Sequence, residues 1–218
     1  MCLSCEDCKT AGPDFCPNKG IVGVTRPGSF AEYTLVDPES AVLIARTGDD
    51  GGYGAEIIPR PAAISPLFCA GITAWDAVER AHLHPGETVA VVGAGGLGEL
   101  AIRYAHALGG HVLALDVRDE QLQACKDSTD AIINTHTLSP DALEDRIHQS
   151  TGRRSVDVAI VTAGTVPAYQ TAFNILKPMG RLIVVGLPTE PLPLPFAAVG
   201  MKALRYPFSL VLFPWTAC

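Results

Sequence analysis

The sequence predicts an α/β fold: a doubly wound parallel sheet of five or six strands, with a smaller β-rich region at the amino-terminal end. Three observations predict this class. Short apolar runs alternate with helix-length segments between residues 64 and 186, a glycine-rich turn follows the first run, and four cysteines lie in the first sixteen positions. Alternation of this kind is typical of parallel strands covered by helices on both faces.

The amino-terminal 66 residues are predicted to form a partial β domain. Residues 30–36 carry β-branched and aromatic side chains between turn signals, which predicts a strand. Residues 46–61 are rich in glycine, proline and charge with no hydrophobic period, which predicts a surface loop.

The second domain is predicted over residues 67–205, after an apolar helical segment at 64–80. Strands are predicted at 88–92, 111–115, 131–133, 156–161 and 181–185, and helices at 96–108, 120–125, 140–150 and 167–176. The proline-rich stretch after Gly186 predicts an extended loop, because proline cannot donate to a sheet ladder. Residues 206–218 form a divergent apolar tail, in which the run 209–213 has the character of a sixth strand.

The composition excludes several functional classes. Of 218 residues, 48% are hydrophobic and 18% are charged, which is typical of a globular protein. The net charge is −7 and no Lys/Arg run exceeds two residues, so a nucleic acid is not an expected partner. No apolar stretch approaches the roughly 18–20 residues that cross a bilayer, so we expect no membrane partner. Seven cysteines suit a metal site in a reducing compartment, which predicts a cytoplasmic location.

The cysteine cluster is a predicted zinc site. Cys2, Cys5, Cys8 and Cys16 follow a C-x2-C-x2-C-x7-C spacing, which lets four thiolates from one loop surround a tetrahedral ion. A site with four thiolates and no open position contributes folding energy and performs no chemistry. A redox pair and unrelated buried thiols are the alternatives.

The glycine-rich turn is a predicted dinucleotide site. Its G-x-G-x-x-G pattern lies between a predicted strand and a predicted helix, where backbone N–H groups at the helix start hold a pyrophosphate. The cofactor contacts predicted here are made by Gly93, Gly95, Gly96, Leu97 and Gly98. A turn with chance glycines is the alternative.

Asp116 predicts which dinucleotide binds. It lies eighteen residues after Gly98, at the end of the second strand, where a carboxylate accepts hydrogen bonds from the adenosine ribose. The same carboxylate repels a 2′-phosphate, which favours NAD over NADP. Arg118 keeps NADP as an alternative, because a nearby arginine accommodates that phosphate.

Together these residues resemble the zinc-containing medium-chain alcohol dehydrogenases, from Cys2 to about Arg205. The matching elements are the four-cysteine loop, residues 28–33, 69–73, 85–87, 93–98 with Asp116, and 185–187. The resemblance implies a Rossmann-type domain, a partial GroES-like domain with a structural zinc loop, and NAD and zinc as cofactors.

The resemblance also assigns further site residues. It implies that Cys69 is a ligand of the catalytic zinc and that Thr73 lies near the nicotinamide. It further implies cofactor contacts at the turns after the fourth and fifth strands, by Ala163, Gly164, Val185, Gly186 and Leu187. For Cys69 the alternative is a buried small hydrophobe. The six histidines and Cys125 match no family site, and we assign them no role.

The implied reaction is hydride transfer between NAD and an alcohol/carbonyl pair. The resemblance places the other catalytic zinc ligands and the proton-relay hydroxyl before the cysteine loop, outside this sequence. The alternative is therefore a non-catalytic NAD- and zinc-binding chain of the same family. Expected partners are a small alcohol, aldehyde or ketone and, since relatives are commonly oligomers, a further copy of the chain.

Overall fold

The computed structural model describes residues 2–12, 15–36, 64–193 and 196–205. The chain divides into two compact units, one of Met1–Ser65 with Val211–Cys218 and one of Pro66–Leu210. The division into domains 1–66, 67–205 and 206–218 stays a prediction. The predicted loop at 46–61, the tail at 206–218 and its run 209–213 lie outside the described residues.

Within residues 2–12 and 15–36, the first unit contains one α-helix, α1 (Glu6–Thr10). The sulfur of Cys5 caps it by accepting a hydrogen bond from the backbone N–H of Cys8, 3.4 Å away. Glu6 and Asp7 lie in its first turn, where the helix dipole favours negative charge. A hydrogen bond between a backbone N–H and a cysteine sulfur therefore helps to fix the conformation of the cysteine loop.

The strand predicted at residues 30–36 is wrong. These residues form no strand, and the side chains of Phe30 and Leu35 are fully exposed. A strand is stable only when a neighbouring strand pairs with its backbone and covers its side chains. The residue types favour a strand, but no described segment pairs with this one. The GroES-like character of the first unit stays a prediction.

The second unit is a five-stranded sheet with helices between the strands. The strands are β1 (Thr88–Val92), β2 (His111–Asp116), β3 (Ala131–Asn134), β4 (Val156–Val161) and β5 (Leu176–Val184). The helices are α2 (Ala70–Arg80), α3 (Gly96–Ala107), α4 (Asp119–Cys125), α5 (Pro140–Thr151), α6 (Val166–Ile175) and α7 (Phe196–Lys202). The strands are all parallel in the order β3-β2-β1-β4-β5, which confirms the predicted α/β class.

Helices cover both faces of this sheet. One core cluster joins alternate strand residues to α2, α3 and α4 through side chains such as Ala77, Ile102 and Leu122. The other joins the remaining strand residues to α5 and α6 through Ile147 and Tyr169. Every residue of β1 and β4 is buried, which explains why these strands are continuous apolar runs.

In the described parts of the chain, no helix combines the length and apolar character needed to cross a membrane.

The boundaries of α5 follow from local sequence. Ser139 precedes the helix, and its Oγ accepts a hydrogen bond from the backbone N–H of Ala142 at 3.2 Å. Pro140 occupies the first helical position, where its missing N–H costs nothing. Gly152 ends the helix with a left-handed φ of 72°, the usual conformation of a C-terminal glycine.

The beginning of β5 differs from the prediction. The strand begins at Leu176 rather than at Arg181, and the helix before it ends at Ile175. Leu176 pairs with Val156, and the register then shifts before the main ladder. Pro178 cannot donate to the ladder, and for this reason the local pattern indicated the strand only after the irregular residues.

Beyond the proline-rich stretch, the chain returns to the outer edge of β5. Arg205 forms a parallel bridge with Arg181. The N–H of Leu182 donates to the carbonyl oxygen of Arg205 at 2.8 Å, and the N–H of Arg205 donates to Gly180 at 3.0 Å. Arg205 therefore occupies a sixth position on the sheet, beside β5.

One buried carboxylate, that of Asp157, links the amino-terminal ends of three strands. Asp157 is 2% exposed and accepts a hydrogen bond from the N–H of Thr88 at 2.8 Å. It also accepts from Arg153 at 2.9 Å and pairs with Lys177. This group ties β1, β4 and β5 together at the edge opposite the glycine-rich turn.

Candidate functional site

All of the predicted cofactor contacts in the second unit lie at the carboxyl ends of strands. β1 occupies the centre of the sheet, with β2 and β3 on one side and β4 and β5 on the other. The chain leaves β1 for β2 and later returns to the opposite side, so the strand order reverses between β1 and β4. Open α/β sheets bind their ligands at such a switch point.

Two glycines make the first turn possible. Gly93 has a φ of 102°, a conformation that side chains disfavour. A Cβ atom on Gly98 would lie 1.8 Å from the carbonyl oxygen of Gly93, so only glycine permits α3 to start this close to β1. The conformation of the turn therefore requires glycine at both positions.

The other two glycines of the turn face open space. A Cβ atom on Gly95 or Gly96 would meet no heavy atom within 4 Å. Gly95 is the N-cap of α3, and no side chain caps this helix. The first N–H groups of a helix have no partner within it, and they bind anions when no side chain occupies them. Gly96, Leu97 and Gly98 begin the helix, so this cradle fits a pyrophosphate.

Asp116 is held in place by backbone N–H groups. One carboxylate oxygen accepts from Ala94 at 2.7 Å, and the other accepts from Arg118 at 2.9 Å. The aspartate side chain is 9% exposed, whereas that of Arg118 is 65% exposed, with its Nε 3.9 Å from the carboxylate. The carboxylate therefore links the ends of β1 and β2 and retains lone pairs for a ribose hydroxyl.

The turns after β4 and β5 pack directly against the glycine turn. A Cβ atom on Gly93 would lie 2.8 Å from the nitrogen of Ala163. A Cβ atom on Gly164 would lie 2.9 Å from the carbonyl oxygen of Leu187, and one on Gly186 would lie 2.4 Å from that of Thr162. Val185 follows β5 and is 8% exposed. The predicted residues at positions 163–164 and 185–187 thus share one surface with the glycine turn.

Two residues of this edge were not predicted from the sequence. Thr162 donates its hydroxyl hydrogen to the carbonyl oxygen of Gly93 at 2.7 Å, which ties β4 to the glycine turn. A hydroxyl directly after an apolar strand was the available signal. Tyr169 donates to the carbonyl oxygen of Gly186. It lies on the buried face of α6, where an aromatic residue is ordinary, so no sequence signal distinguished it.

Cys69 and Thr73 lie at the start of α2. Cys69 is exposed and precedes the helix, and its carbonyl oxygen accepts a hydrogen bond from the N–H of Thr73 at 3.0 Å. In the described ranges, one group of three or more His, Cys, Asp or Glu ligands is found, and Cys69 is not among its members. The predicted roles of these two residues stay predictions.

The four amino-terminal cysteines form that group of ligands. The Sγ atoms of Cys2, Cys5, Cys8 and Cys16 all lie within 4.8 Å of one another. Cys2 Sγ is 3.9 Å from Cys8 Sγ and 3.7 Å from Cys16 Sγ. Sulfurs about 2.3 Å from a tetrahedral zinc are roughly 3.8 Å apart, so the residues fit this ion.

The protonation of these thiols is uneven. Hydrogen bonds from Ser4 and Cys5 lower the pKa of the Cys2 thiol to about 5. Desolvation and the neighbouring thiols raise the pKa of Cys8 to about 12. Four adjacent thiols cannot all ionise unless a cation neutralises their charge, so zinc binding to this cluster releases protons.

The family described as zinc-binding dehydrogenase matches residues 96–212. An alcohol dehydrogenase of Geobacillus stearothermophilus is 35% identical over 211 residues, which cover 96% of this chain and 58% of the relative. This chain therefore spans less than two thirds of that relative's length.

Two solved structures have the same fold. The alcohol dehydrogenase of Aeropyrum pernix superposes with a TM-score of 0.79 and 31% identity, over 96% of this chain and 58% of that chain. Galactitol-1-phosphate dehydrogenase from Escherichia coli superposes with a TM-score of 0.81 and 24% identity, over 98% of this chain and 60% of that chain. At this lower identity the likeness concerns the fold alone. Since the family match covers more than half of the sequence, the chain belongs to the zinc-binding dehydrogenase family.

Proposed function

We propose that the second unit binds NAD along the carboxyl edge of its sheet. The observation that carries this proposal is the uncapped start of α3, with open space above Gly95 and Gly96. A pyrophosphate placed there accepts hydrogen bonds from the first N–H groups of the helix. The adenosine ribose then lies beside Asp116, at the end of β2.

Asp116 supports NAD rather than NADP. Its side chain is almost fully buried, and the two backbone N–H groups that hold it prevent it from turning away from a 2′-phosphate. Arg118 is exposed beside it and is the residue through which NADP would be accommodated.

The cysteine cluster supports a second binding function in the first unit. The four sulfurs have the separations that a tetrahedral zinc requires. We assign this zinc a structural role, because four thiolates leave no coordination position for a substrate. Six free cysteines in the described residues agree with a reducing compartment, and we place the protein in the cytoplasm.

The reaction we propose is oxidation of a small alcohol, or reduction of the corresponding aldehyde or ketone, with NAD. The relatives named alcohol dehydrogenase support this reaction type. Cys69 would supply one thiolate ligand to a catalytic zinc, and the chemistry that such an ion would supply with its full set of ligands is polarisation of the alcohol oxygen. We assign Thr73, one turn further along α2, a position near the nicotinamide, which the family resemblance supports.

A second candidate function is a non-catalytic NAD- and zinc-binding chain. The observation that favours it is that, among the described residues, Cys69 belongs to no group of three or more potential metal ligands. One thiolate does not hold zinc in a catalytic geometry, which needs three protein ligands. On this view the chain binds both cofactors and transfers no hydride.

Three measurements on the 218-residue chain separate the two functions. NADH binding is followed by fluorescence titration, zinc per chain by elemental analysis, and turnover with a panel of primary and secondary alcohols. Two zinc ions per chain with turnover support the dehydrogenase, and one zinc ion with NADH binding but no turnover supports the second function. Absence of NADH binding would contradict both.

A further inference from the structure

A buried tyrosine reaches the turn that follows β5. Tyr169 belongs to α6, has no exposed surface, and donates a hydrogen bond to the carbonyl oxygen of Gly186. The two residues are 17 positions apart, so this contact joins the helix before β5 to the turn after it. Burial raises the pKa of Tyr169 to about 12. The hydroxyl therefore keeps its proton, and remains a donor, at neutral pH.

The rest of the Gly186 backbone is also fixed. Its N–H donates to the carbonyl oxygen of Val161 at 2.9 Å, and the N–H of Val185 donates to the same oxygen at 3.1 Å. Both polar backbone atoms of Gly186 are thus engaged, one by the end of β4 and one by Tyr169. Leu187, the next residue, is 58% exposed at the surface of the turn.

The order of the strands indicates which half of a dinucleotide this turn faces. Asp116, the proposed adenosine ribose contact, ends β2 on one side of β1. The glycine-rich turn at the end of β1 holds the pyrophosphate. A dinucleotide that crosses the switch point must then extend its second half over the ends of β4 and β5. The turn of residues 185–187 lies at the end of β5.

We propose that Tyr169 is a positioning residue for the nicotinamide half of the cofactor, because its hydroxyl fixes the turn of residues 185–187 against which that half rests. The inference depends on the proposed NAD-binding function. It concerns a side chain that is buried away from the cofactor and acts through the Gly186 carbonyl group. Without the hydroxyl, that carbonyl loses its partner and the turn is free to shift.

The test compares two ligands on the variant Tyr169→Phe. NADH carries the nicotinamide, whereas ADP-ribose has the adenosine, the pyrophosphate and the second ribose but no base. We expect the variant to bind NADH about five- to tenfold more weakly, because a turn that has lost this internal hydrogen bond must be ordered when the cofactor binds. Its affinity for ADP-ribose should stay within about twofold of wild type, since the Gly93–Gly98 turn and Asp116 are unchanged. Both affinities are measured by isothermal titration calorimetry.

A matched control removes a different hydroxyl. Tyr104 lies on α3, where its ring packs edge-on against Trp75 at a centroid distance of 5.7 Å. Tyr104→Phe should change neither affinity. A second variant, Leu187→Ala, alters the exposed residue of the turn, cannot disturb the core, and should again weaken NADH more than ADP-ribose.

The outcomes separate the inference from the proposed function. If wild type binds neither ligand, the NAD-binding function itself is contradicted. If wild type binds both, and Tyr169→Phe weakens both equally or neither, the positioning role is overturned. Should Tyr169→Phe not fold, the Leu187→Ala ratio of the two affinities decides, and an unchanged ratio overturns the proposal.

Discussion

Gly96 and Gly98 differ in whether the surrounding structure leaves room for a side chain, and this difference is testable. A methyl group at Gly98 would collide with the carbonyl oxygen of Gly93, whereas a methyl group at Gly96 would meet nothing within 4 Å. We expect Gly98→Ala to lower the free energy of unfolding by about 2–3 kcal/mol, because the backbone must shift to accept the atom. Gly96→Ala should leave stability unchanged or slightly raised. Urea denaturation of both variants measures this, and equal stabilities would contradict the tight turn.

Asp116 is the residue on which the choice of dinucleotide depends. Asp116→Asn keeps the shape of the side chain but removes the negative charge that repels a 2′-phosphate. We expect NADH to bind about tenfold more weakly, because a hydrogen bond to a charged acceptor becomes a neutral one. The preference for NADH over NADPH should fall. Fluorescence titrations with both cofactors measure this.

The control for Asp116 is Asp127→Asn, an exposed aspartate in the turn after α4. It changes the net charge by the same amount without altering the cofactor edge. An equal loss of preference in both variants would show that net charge, and not the position of Asp116, governs cofactor choice.

At the scale of the element, α6 depends on a lysine from another helix. Its last turn contains no basic residue, but the ammonium of Lys202 in α7 donates to the carbonyl oxygens of Phe173, Asn174 and Leu176 at 3.1, 3.0 and 2.8 Å. Lys202→Met should lower the free energy of unfolding by about 1–2 kcal/mol, because it leaves carbonyl groups and the helix dipole without a cation. Thermal denaturation measures the effect, with the exposed Lys126→Met as control. Equal melting temperatures for the two variants would contradict this capping role.

Elements were predictable from the sequence where burial alone determines them. β1 and β4 are buried at every position, so their apolar runs identify them without knowledge of the neighbours. Residues 30–36 have the same local character, but a strand needs a partner, and no local pattern specifies one. The roles of Tyr169 and Lys202 depend on contacts 17 to 29 positions away, which is why residue type and spacing did not reveal them.

At the scale of the whole molecule, Asp157 makes the stability of the sheet depend on acid. Burial tends to raise its pKa, but hydrogen bonds from Lys177 and from the N–H of Thr88 outweigh burial and hold the pKa below its ordinary value. A carboxylate whose pKa is lowered by folding stabilises the fold at pH values above the pKa of the unfolded state, about 3.9 for aspartate. This contribution is lost as the pH falls through the folded pKa. We therefore expect stability to decrease in acid.

Asp157→Asn tests this acid dependence. The variant should be less stable than wild type by about 3 kcal/mol at pH 7, because Lys177 and Arg153 lose a buried ionic partner. The difference should shrink as the pH falls below about 3.9, because the carboxyl group of the unfolded chain is then protonated while the folded one, whose pKa is lower, still holds its charge. Urea denaturation between pH 3 and pH 7 measures both quantities, and a difference that stays constant with pH would contradict the assignment.

The two units are stabilised by different means, and zinc removal should separate them. Within residues 2–12 and 15–36, Cys16 is the only buried residue, so this segment has no apolar core to maintain the cysteine loop. The second unit has two clusters of buried side chains on the faces of its sheet. Structural zinc contributes about 10–16 kcal/mol of binding free energy in small domains, so a chelator should abolish the order of residues 2–12.

Hydrogen–deuterium exchange with mass spectrometry measures this separation. After chelation, the amides of Cys5 and Cys8, which donate to sulfur, should exchange fast, while those of β1 and β4 stay protected and the affinity for NADH stays within about twofold. Cys5→Ser should reproduce the effect of the chelator, whereas Cys125→Ser, which alters a buried thiol of α4, should not. Unchanged exchange over residues 2–12 in protein shown to be free of zinc would contradict the structural role of the cluster. Loss of protection in β1 as well would show that the fold of the second unit depends on the metal.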